Sequence, residues 1–376
     1  MVSNMKPKIC LVTNLALNDE PTVENRLLPY IDCLGDKKAD VTLFSADSVL
    51  KQDIGKKVKH ASIFSERERP KSFIKRAIFE WRESRRILKK ASIEGFDLYI
   101  VTIPSMFLLF NLYLLKGKKV CLDVRDLTWE YLDDGSLVQR LSKFLFRILA
   151  DVNVKYSSYQ IVTNDTEYEY MSKRRGEVLK YSNGVTEKQF KELNNLSAPS
   201  SDSVFTITYC GKVGVAQNLS IFIEAASLLP DFNFKIVGYG PQTEEMEALA
   251  KEKKLSNVEF TGHVSWSEVL EHYNASHVLY AQLGPLFSGA MPSKLFQYLA
   301  TGRYVIYGGE GQAAETLRQF KMSRVIPSND VTELVEAIKL AKSQQLLHSE
   351  SEFNKSLIAE RYVREKNVNR VLETIL

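Results

Sequence analysis

Gly289-Ala290-Met291-Pro292-Ser293-Lys294 leads into Leu295-Phe296-Gln297-Tyr298-Leu299-Ala300-Thr301-Gly302, and no other stretch is so well suited to chemistry. Leu295, Phe296, Leu299 and Ala300 recur at helical spacing, so a helix is predicted from Pro292 to Gly302. Pro292 suits a first turn, where its missing N–H goes unused. Gly289 permits a close backbone approach. The free N–H groups of a helix start, the Ser293 hydroxyl and the Lys294 amine make an anion site, and a diphosphate is its natural guest. The alternative is an ordinary strand–loop–helix unit with Lys294 in water.

Three further segments repeat a glycine pattern at the ends of strand-like runs: Tyr209-Cys210-Gly211-Lys212-Val213-Gly214, Lys235-Ile236-Val237-Gly238-Tyr239-Gly240-Pro241 and Phe260-Thr261-Gly262-His263-Val264. Open α/β sheets bind ligands at the carboxyl ends of their strands. Lys212 could neutralise a phosphate there. A glycine after one strand is commonly just a turn, and the set of four segments in this order is the stronger signal. His263, His272 and His277 show no ligand spacing, and no metal site is expected. Cys10, Cys33, Cys121 and Cys210 are scattered and read as buried thiols in a reducing compartment.

The elements that position these residues follow from the apolar pattern. At roughly 150 residues per domain, 376 residues suggest two domains. Strands are predicted at Lys8–Thr13, Asp40–Phe44, Leu98–Val101, Val120–Val124 and Gln160–Thr163, and a helix at Thr22–Cys33. The polar stretch Leu196–Ser203 is the expected linker. Strands resume at Phe205–Tyr209, Phe234–Val237, Val258–Thr261, Val278–Ala281 and Tyr304–Tyr307, with helices between. This alternation predicts two Rossmann-like, doubly wound domains, 1–200 and 201–354. Asn354–Leu376 is predicted to be helical and amphipathic. The N-terminal Met1–Lys8 is polar and does not read as a signal peptide. Leu98–Leu115 carries no charge and has about the length of a bilayer span. Thr102, Pro104, Ser105 and Asn111 favour strand, turn and helix over a spanning helix.

Net charge is +4, too small to imply nucleic acid, but it is unevenly placed. Arg69 to Ala91 holds nine Lys/Arg against Glu80 and Glu83. Ile74, Ala77, Ile78, Trp81 and Leu88 share one helical face, with Lys75, Arg76, Arg82, Arg85, Arg86 and Lys89 around it. A basic helix with an aromatic on its apolar face suits an anionic membrane surface. Half of these cations at about 1 kcal/mol each would give about 4–5 kcal/mol of docking energy. Leu137 to Leu149 repeats the theme, with Leu137, Leu141, Phe144, Leu145 and Ile148 apolar and Arg140, Lys143 and Arg147 interleaved. For both helices the alternative is an apolar face turned to the core and charges merely solvated. No stacking platform accompanies the charge, so nucleic acid is the weaker use.

The second half resembles the donor-binding domain of glycosyltransferase family 4, whose fold is GT-B, α/β with two Rossmann-like doubly wound domains facing across a cleft. Pro292-Ser293-Lys294-Leu295-Phe296 through Arg303 resembles the bacterial subgroup near the N-acetylfucosaminyl transferases of O-antigen and capsule synthesis. Tyr181-Ser182-Asn183-Gly184-Val185 is similar to the family's Asn-Gly-Val segment. Asp123-Val124-Arg125-Asp126-Leu127-Thr128-Trp129-Glu130 resembles its histidine–aspartate–x–tryptophan–proline–glutamate stretch. The resemblance is highly specific over Val204–Gly309 and looser before it.

The resemblance implies a retaining transfer of a sugar from a nucleotide sugar, UDP-linked by family frequency, without metal or cofactor. Gly289, Ala290, Met291, Ser293 and Lys294, with Lys212 beside Gly211, would hold the diphosphate. The loops of Gly238, Gly240 and Pro241 and of His263 and Val264 would line the base and phosphates. Helix 355–376 would cross back to the first domain. The leaving phosphate would take the acceptor proton, so stabilising its charge is the main catalytic task of Lys294 and Lys212. The family's two glutamates fall at Gly289 and Gln297, and a second phosphate cation at Gln217. An amide at 297 can bond a ribose hydroxyl but forfeits a charge-assisted bond, about 1 kcal/mol. Arg125 replaces the histidine, and Asp126 is a candidate to orient the acceptor or assist proton transfer, or else a structural hydrogen-bonding residue.

The leading expectation is a transferase acting on a lipid-linked or glycan acceptor in O-antigen, capsule or exopolysaccharide synthesis, cytoplasmic and peripheral at the inner membrane face. A non-hydrolysing nucleotide-sugar epimerase shares the fold but needs acid–base carboxylates and no membrane helix. A non-catalytic GT-B subunit that binds a nucleotide sugar or a partner transferase is the other alternative, and Gln217 and Gln297 are its support.

Overall fold

The computed structural model describes residues 6–64, 73–103, 106–130, 135–200, 203–287, 290–343 and 348–376. The chain forms two compact units. One comprises Met1–Ser182 with Arg364–Leu376, the other Asn183–Val363.

The first unit is built on seven described strands: β1 (Lys8–Val12), β2 (Asp40–Ser45), β3 (Lys59–Ser62), β4 (Leu98–Ile103), β5 (Val120–Val124), β6 (Tyr159–Val162) and β7 (Glu177–Lys180). They lie in the order β3-β2-β1-β4-β5-β6-β7, and every pairing is parallel. Central strands buried on both faces need continuous apolar runs, and all six residues of β4 are buried. The last helix, Arg364–Ile375, packs on the helix Pro21–Asp36, and Val368, Val371, Leu372 and Ile375 join Tyr30, Ile31 and Leu34 in one apolar cluster.

The second unit holds six described strands: β8 (Thr206–Cys210), β9 (Asn233–Val237), β10 (Val258–Gly262), β11 (Val278–Gln282), β12 (Tyr304–Gly308) and β13 (Ser323–Ile326). Their order is β10-β9-β8-β11-β12-β13, again all parallel. In each sheet the winding reverses once, between β1 and β4 and between β8 and β11. Ligands of doubly wound sheets bind at that reversal, outside the carboxyl ends of the strands.

The predicted strands all appear, within a residue or two at their ends. The uncharged stretch 98–115 is β4, a helix Met106–Phe110 and a 3₁₀ turn Leu112–Leu115. Pro104 and Ser105 lie outside the described residues. No described helix is long and apolar enough to cross a membrane. The C-terminal stretch is two helices, His348–Arg361 and Arg364–Ile375. The chain breaks between them because Val363 bridges Val185 and the Tyr362 carbonyl accepts the Val185 N–H. The polar stretch 196–203 runs from the helix Glu187–Asn194 to β8, inside the second unit.

Candidate functional site

The reversal between β8 and β11 gathers the glycine segments. Gly211 N–H bonds the Val237 carbonyl at 2.8 Å, and Val213 N–H bonds the Tyr239 carbonyl at 3.3 Å. Gly238 bridges Gly262, which joins the ends of β9 and β10. A Cβ on Gly238 would stand 2.1 Å from the Gly211 carbonyl oxygen, and one on Gly240 would stand 2.1 Å from that of Val213. Glycine is therefore demanded at 238 and 240 by backbone lying against backbone within the protein. On the other side, Gly284 N–H bonds the Ala216 carbonyl at 2.8 Å and ties the exit of β11 to the same loop.

Lys294 enters this site from the opposite wall. Its amine donates to the Tyr209 hydroxyl at 2.8 Å and lies 4.0 Å from the centre of the Tyr209 ring. A Cβ on Gly211 would meet it at 2.6 Å and displace it, and the φ of +140° there favours glycine as well. Lys294 is half-buried, and the loss of water around its amine draws the pKa from the ordinary 10.5 to about 8, opposed by the nearby Cys210. No described carboxylate offsets the charge. Tyr209 also donates to the Lys212 carbonyl at 2.5 Å, so one phenol positions both lysines. Tyr298, one turn on from Lys294, accepts from Cys210 N–H at 2.8 Å and donates to Cys210 O at 3.0 Å. The Lys294 helix is thereby bolted to the end of β8. Tyr209 and Tyr298 were missed as site residues because a tyrosine in an apolar run reads as core, which both also are.

The helix itself spans Lys294–Ala300, two residues later than the predicted start, because the Pro292 and Ser293 carbonyls accept from Leu295 and Phe296 in a tighter turn. Gly302, at φ +69°, ends it as expected. Ser293 and Ala290 are exposed, Ser293 makes no side-chain cap, and Met291 packs on the neighbouring core. Gly289 lies outside the described residues. Lys212, Pro241 and His263 are exposed, and Val264 is half-buried just before Ser265, which caps the next helix. Gln297 accepts from the Tyr273 hydroxyl at 3.3 Å. Gln217 contributes its backbone carbonyl to the buried Gln282, not a cation. Arg303 is buried and donates to the carbonyls of Tyr273, Asn274 and Ser197, so it holds the chain at Ser197.

The corresponding rim of the first unit carries two carboxyl groups. Asp126 follows β5 and keeps an exposed edge, and the protein packed around its carboxyl raises its pKa against the lowering pull of Arg125 and Arg26. Glu167 is the residue the sequence did not single out. Burial pushes its pKa up to about 7, opposed by bonds from Thr163, with Asp126 adding to the rise. It accepts from the Thr163 N–H at 2.9 Å and from the Thr163 hydroxyl at 2.8 Å. The signal was Asn164-Asp165-Thr166-Glu167 directly after a strand, a helix-start pattern. Asn14, at the end of β1, has a buried Oδ1 with no partner among the described residues. The rest of the aspartate–tryptophan stretch is structural. Asp123 is buried against Arg26, with contacts of 2.5 and 3.1 Å. Trp129 donates to Tyr170 at 3.0 Å, and Glu130 pairs with Arg147 and accepts from Tyr170 at 2.5 Å. No group of three or more His, Cys, Asp or Glu among the described residues could hold a metal ion.

Residues 204–342 match the family model described as Glycosyl transferases group 1. No curated protein matches the chain by sequence. Among solved structures, a glycosyltransferase from Rickettsia africae superposes with a TM-score of 0.73 at 15% identity, over 98% of each chain. The lipopolysaccharide outer core galactosyltransferase WaaB gives 0.68 at 14% identity, over 98% of this chain and 100% of that one. Anabaena HepE, solved with UDP and glucose, gives 0.66 at 13%, over 98% and 99%. Identities this low speak for the fold, which is GT-B.

Two helices of the first unit carry the basic and apolar faces singled out in the sequence. Phe73–Ile93 is one helix, as predicted; residues 69–72 and the side chain of Ile74 lie outside the described residues. Lys75, Arg76, Arg82, Arg86 and Lys89 are exposed, with Ile78 46% and Trp81 39% exposed among them. Arg85 donates to the Tyr113 hydroxyl, and Arg86 pairs with Glu83 at 2.6 Å. Leu88 does not share the exposed face: with Ile87 and Ala91 it is buried in the core. Leu137–Val154 is the second helix, and its apolar set of Leu137, Leu141, Phe144, Leu145 and Ile148 faces solvent. Phe146, Ala150 and Val154 supply its core face instead.

Proposed function

We propose that this protein is a retaining glycosyltransferase that moves a sugar from a nucleotide sugar, UDP-linked, to a lipid-linked glycan in cell-surface polysaccharide synthesis. The observation that carries the reading is the Lys294 amine, drawn from water against Tyr209 and Gly211 at the sheet reversal with no described carboxylate to balance it. Such a group is completed by an anion. A diphosphate leaving group supplies one and gains charge during transfer, when a fixed cation stabilises it most. Lys212 adds a second cation from an exposed loop. Metal is not required by this arrangement, since two lysines take its electrostatic part. Gln297 and the loops of Gly238–Pro241 and Gly262–Val264 face the sugar nucleotide. Asp126, with Glu167 beside it, serves the acceptor. The basic face of Phe73–Ile93 docks the enzyme at the inner face of the membrane, where a lipid-linked acceptor is presented.

HepE was solved with UDP and glucose, and WaaB acts in lipopolysaccharide core synthesis by its name, which supports UDP and a surface-glycan acceptor. The test is thermal stabilisation by UDP, GDP, ADP and their sugars. A ligand at about 100 times its Kd adds about 2.7 kcal/mol. Stabilisation by UDP and one UDP-sugar, lost in Lys294→Met, is the expected result. No shift with any nucleotide from a folded sample would remove the transferase reading. Nucleotide binding without transfer to a competent lipid acceptor would favour a non-catalytic subunit.

A further inference from the structure

The helix Leu137–Val154 is apolar on two sides. One side, with Phe146, Ala150 and Val154, packs into the core. The other presents Leu141, Phe144, Leu145, Ile148, Leu149 and Val152, each 41 to 59% exposed, and begins with Leu137 at 83%. Spaced at three and four residues, these side chains form a continuous ridge along the outer face of the helix. An apolar ridge of this length on an otherwise polar surface marks a binding surface.

Charge accompanies it. Arg140 and Arg147 lie on one flank, Arg147 paired with Glu130, and Lys143 is half-buried nearer the core side. Three residues after Val152, in line with the ridge, comes Lys155. Lys155 lines a pocket of about 480 Å³ with Lys116, Lys118 and Arg175. Tyr156, Ser157 and Ser158 also line it, and no described carboxylate does. The pocket sits where β5, β6 and β7 begin, the rim opposite Asp126 and Glu167, so it is no part of the site proposed above. The basic helix Phe73–Ile93 belongs to the same layer: it packs on the segment 106–115, which packs on Leu137–Val154.

We propose that the ridge and the basic pocket together form a docking site for an anionic bilayer, with the ridge at the acyl boundary and the pocket around a lipid headgroup phosphate. The occupant follows from the chemistry. A ridge of large aliphatic and aromatic side chains that ends in a pocket lined by four cations and no described carboxylate matches an interface of acyl chains beneath phosphates. This deepens the membrane-facing reading above and rests on it, but assigns insertion to a different helix and adds a headgroup site.

The experiment is flotation of the full-length chain with vesicles of phosphatidylcholine alone and of equimolar phosphatidylcholine and phosphatidylglycerol. Wild type is expected to float with the anionic vesicles, and the double variant L141E/F144E to bind them at least about tenfold more weakly. Both substituted side chains are exposed, so the variant should keep its Tm and its UDP stabilisation. K155E/R175E is expected to lose the preference for anionic over neutral vesicles. Equal flotation of wild type and L141E/F144E overturns the proposal, as does no flotation with either vesicle. A wild-type dimer in sedimentation that L141E/F144E dissolves would assign the ridge to a second copy of the chain and overturn it too. Stabilisation by inorganic phosphate, lost in K155E/R175E, without vesicle binding would assign the pocket to a soluble anion, with the same consequence. Failure of flotation with UDP stabilisation intact sinks this inference alone; flotation without any nucleotide stabilisation sinks the donor reading alone.

Discussion

At the scale of single residues, Lys294 is held in a state that an anion would relieve. Its pKa near 8 lies below the ordinary 10.5 because burial costs the ammonium its water. Below about pH 8 folded and unfolded chains both carry the proton, and the folded state bears the full burial cost. Between about pH 8 and 10.5 the unfolded chain holds more protons, so stability rises with pH across that window, by about 3 kcal/mol in all. Chemical denaturation from pH 7 to 10.5 should show this rise, and Lys294→Met should remove it. A diphosphate favours the charged lysine, so binding takes up a proton above pH 8. The Kd for UDP is expected to climb as pH passes 8 in wild type and to stay flat in Lys294→Met, measured by calorimetry. Tyr209→Phe tests the positioning of this lysine. It deletes the hydroxyl that accepts from Lys294 and donates to the Lys212 carbonyl. At about 1 kcal/mol for each of the two bonds, UDP affinity should fall roughly 30-fold. The pH midpoint should move below 8, because the amine loses its one polar partner; a merely structural tyrosine would leave the midpoint in place.

At the scale of elements, the loops after β8 and β9 act as one piece. Gly240→Ala would place a methyl 2.1 Å from the Val213 carbonyl oxygen and push the two loops apart. A cost of about 1–3 kcal/mol in stability is expected, with weakened UDP binding. Gly284→Ala, whose nearest neighbour is 3.8 Å away, should be close to neutral. Thermal melts of the two variants with and without UDP check this. These elements also show where the sequence was informative and where it was not. The glycine segments were visible as strand ends, but that Gly238 and Gly240 face neighbouring backbone depends on which strands adjoin, which no local pattern encodes. Central strands such as β4 were plain because they are apolar throughout. The four-residue edge strands β3, β7 and β13 were not, because Lys59, Glu177 and Arg324 break the apolar run, as edges exposed to water require. The helix Leu137–Val154 carried an amphipathic signal, yet periodicity cannot say which side of a helix apolar on two faces meets the core.

At the scale of the whole molecule, the chain leaves the first unit after Ser182 and returns at Arg364. The second unit is thus one continuous segment, while the first is completed by the last thirteen residues, 364–376. Val368, Val371, Leu372 and Ile375 are at most 2% exposed within the first unit's cluster with Tyr30 and Leu34. At about 1.5–3 kcal/mol for each buried side chain, their loss removes on the order of 6–12 kcal/mol, as an upper figure since unfolded chains bury some surface too. That equals the whole stability of an ordinary domain, about 5–15 kcal/mol. A chain ending at Val363 should therefore lose the cooperative melting of its first unit, although nothing within the sheet has been touched. Residues 183–363 expressed alone should fold, because their strands, their core and the bonds around Lys294 are internal to that segment. The isolated segment is expected to keep the UDP-induced rise in Tm and the pH dependence of Lys294. Calorimetric scans of the two truncated chains beside the full chain decide it. If 1–363 melts in two transitions like the full chain, the C-terminal helix is an accessory to the first unit and not part of its core.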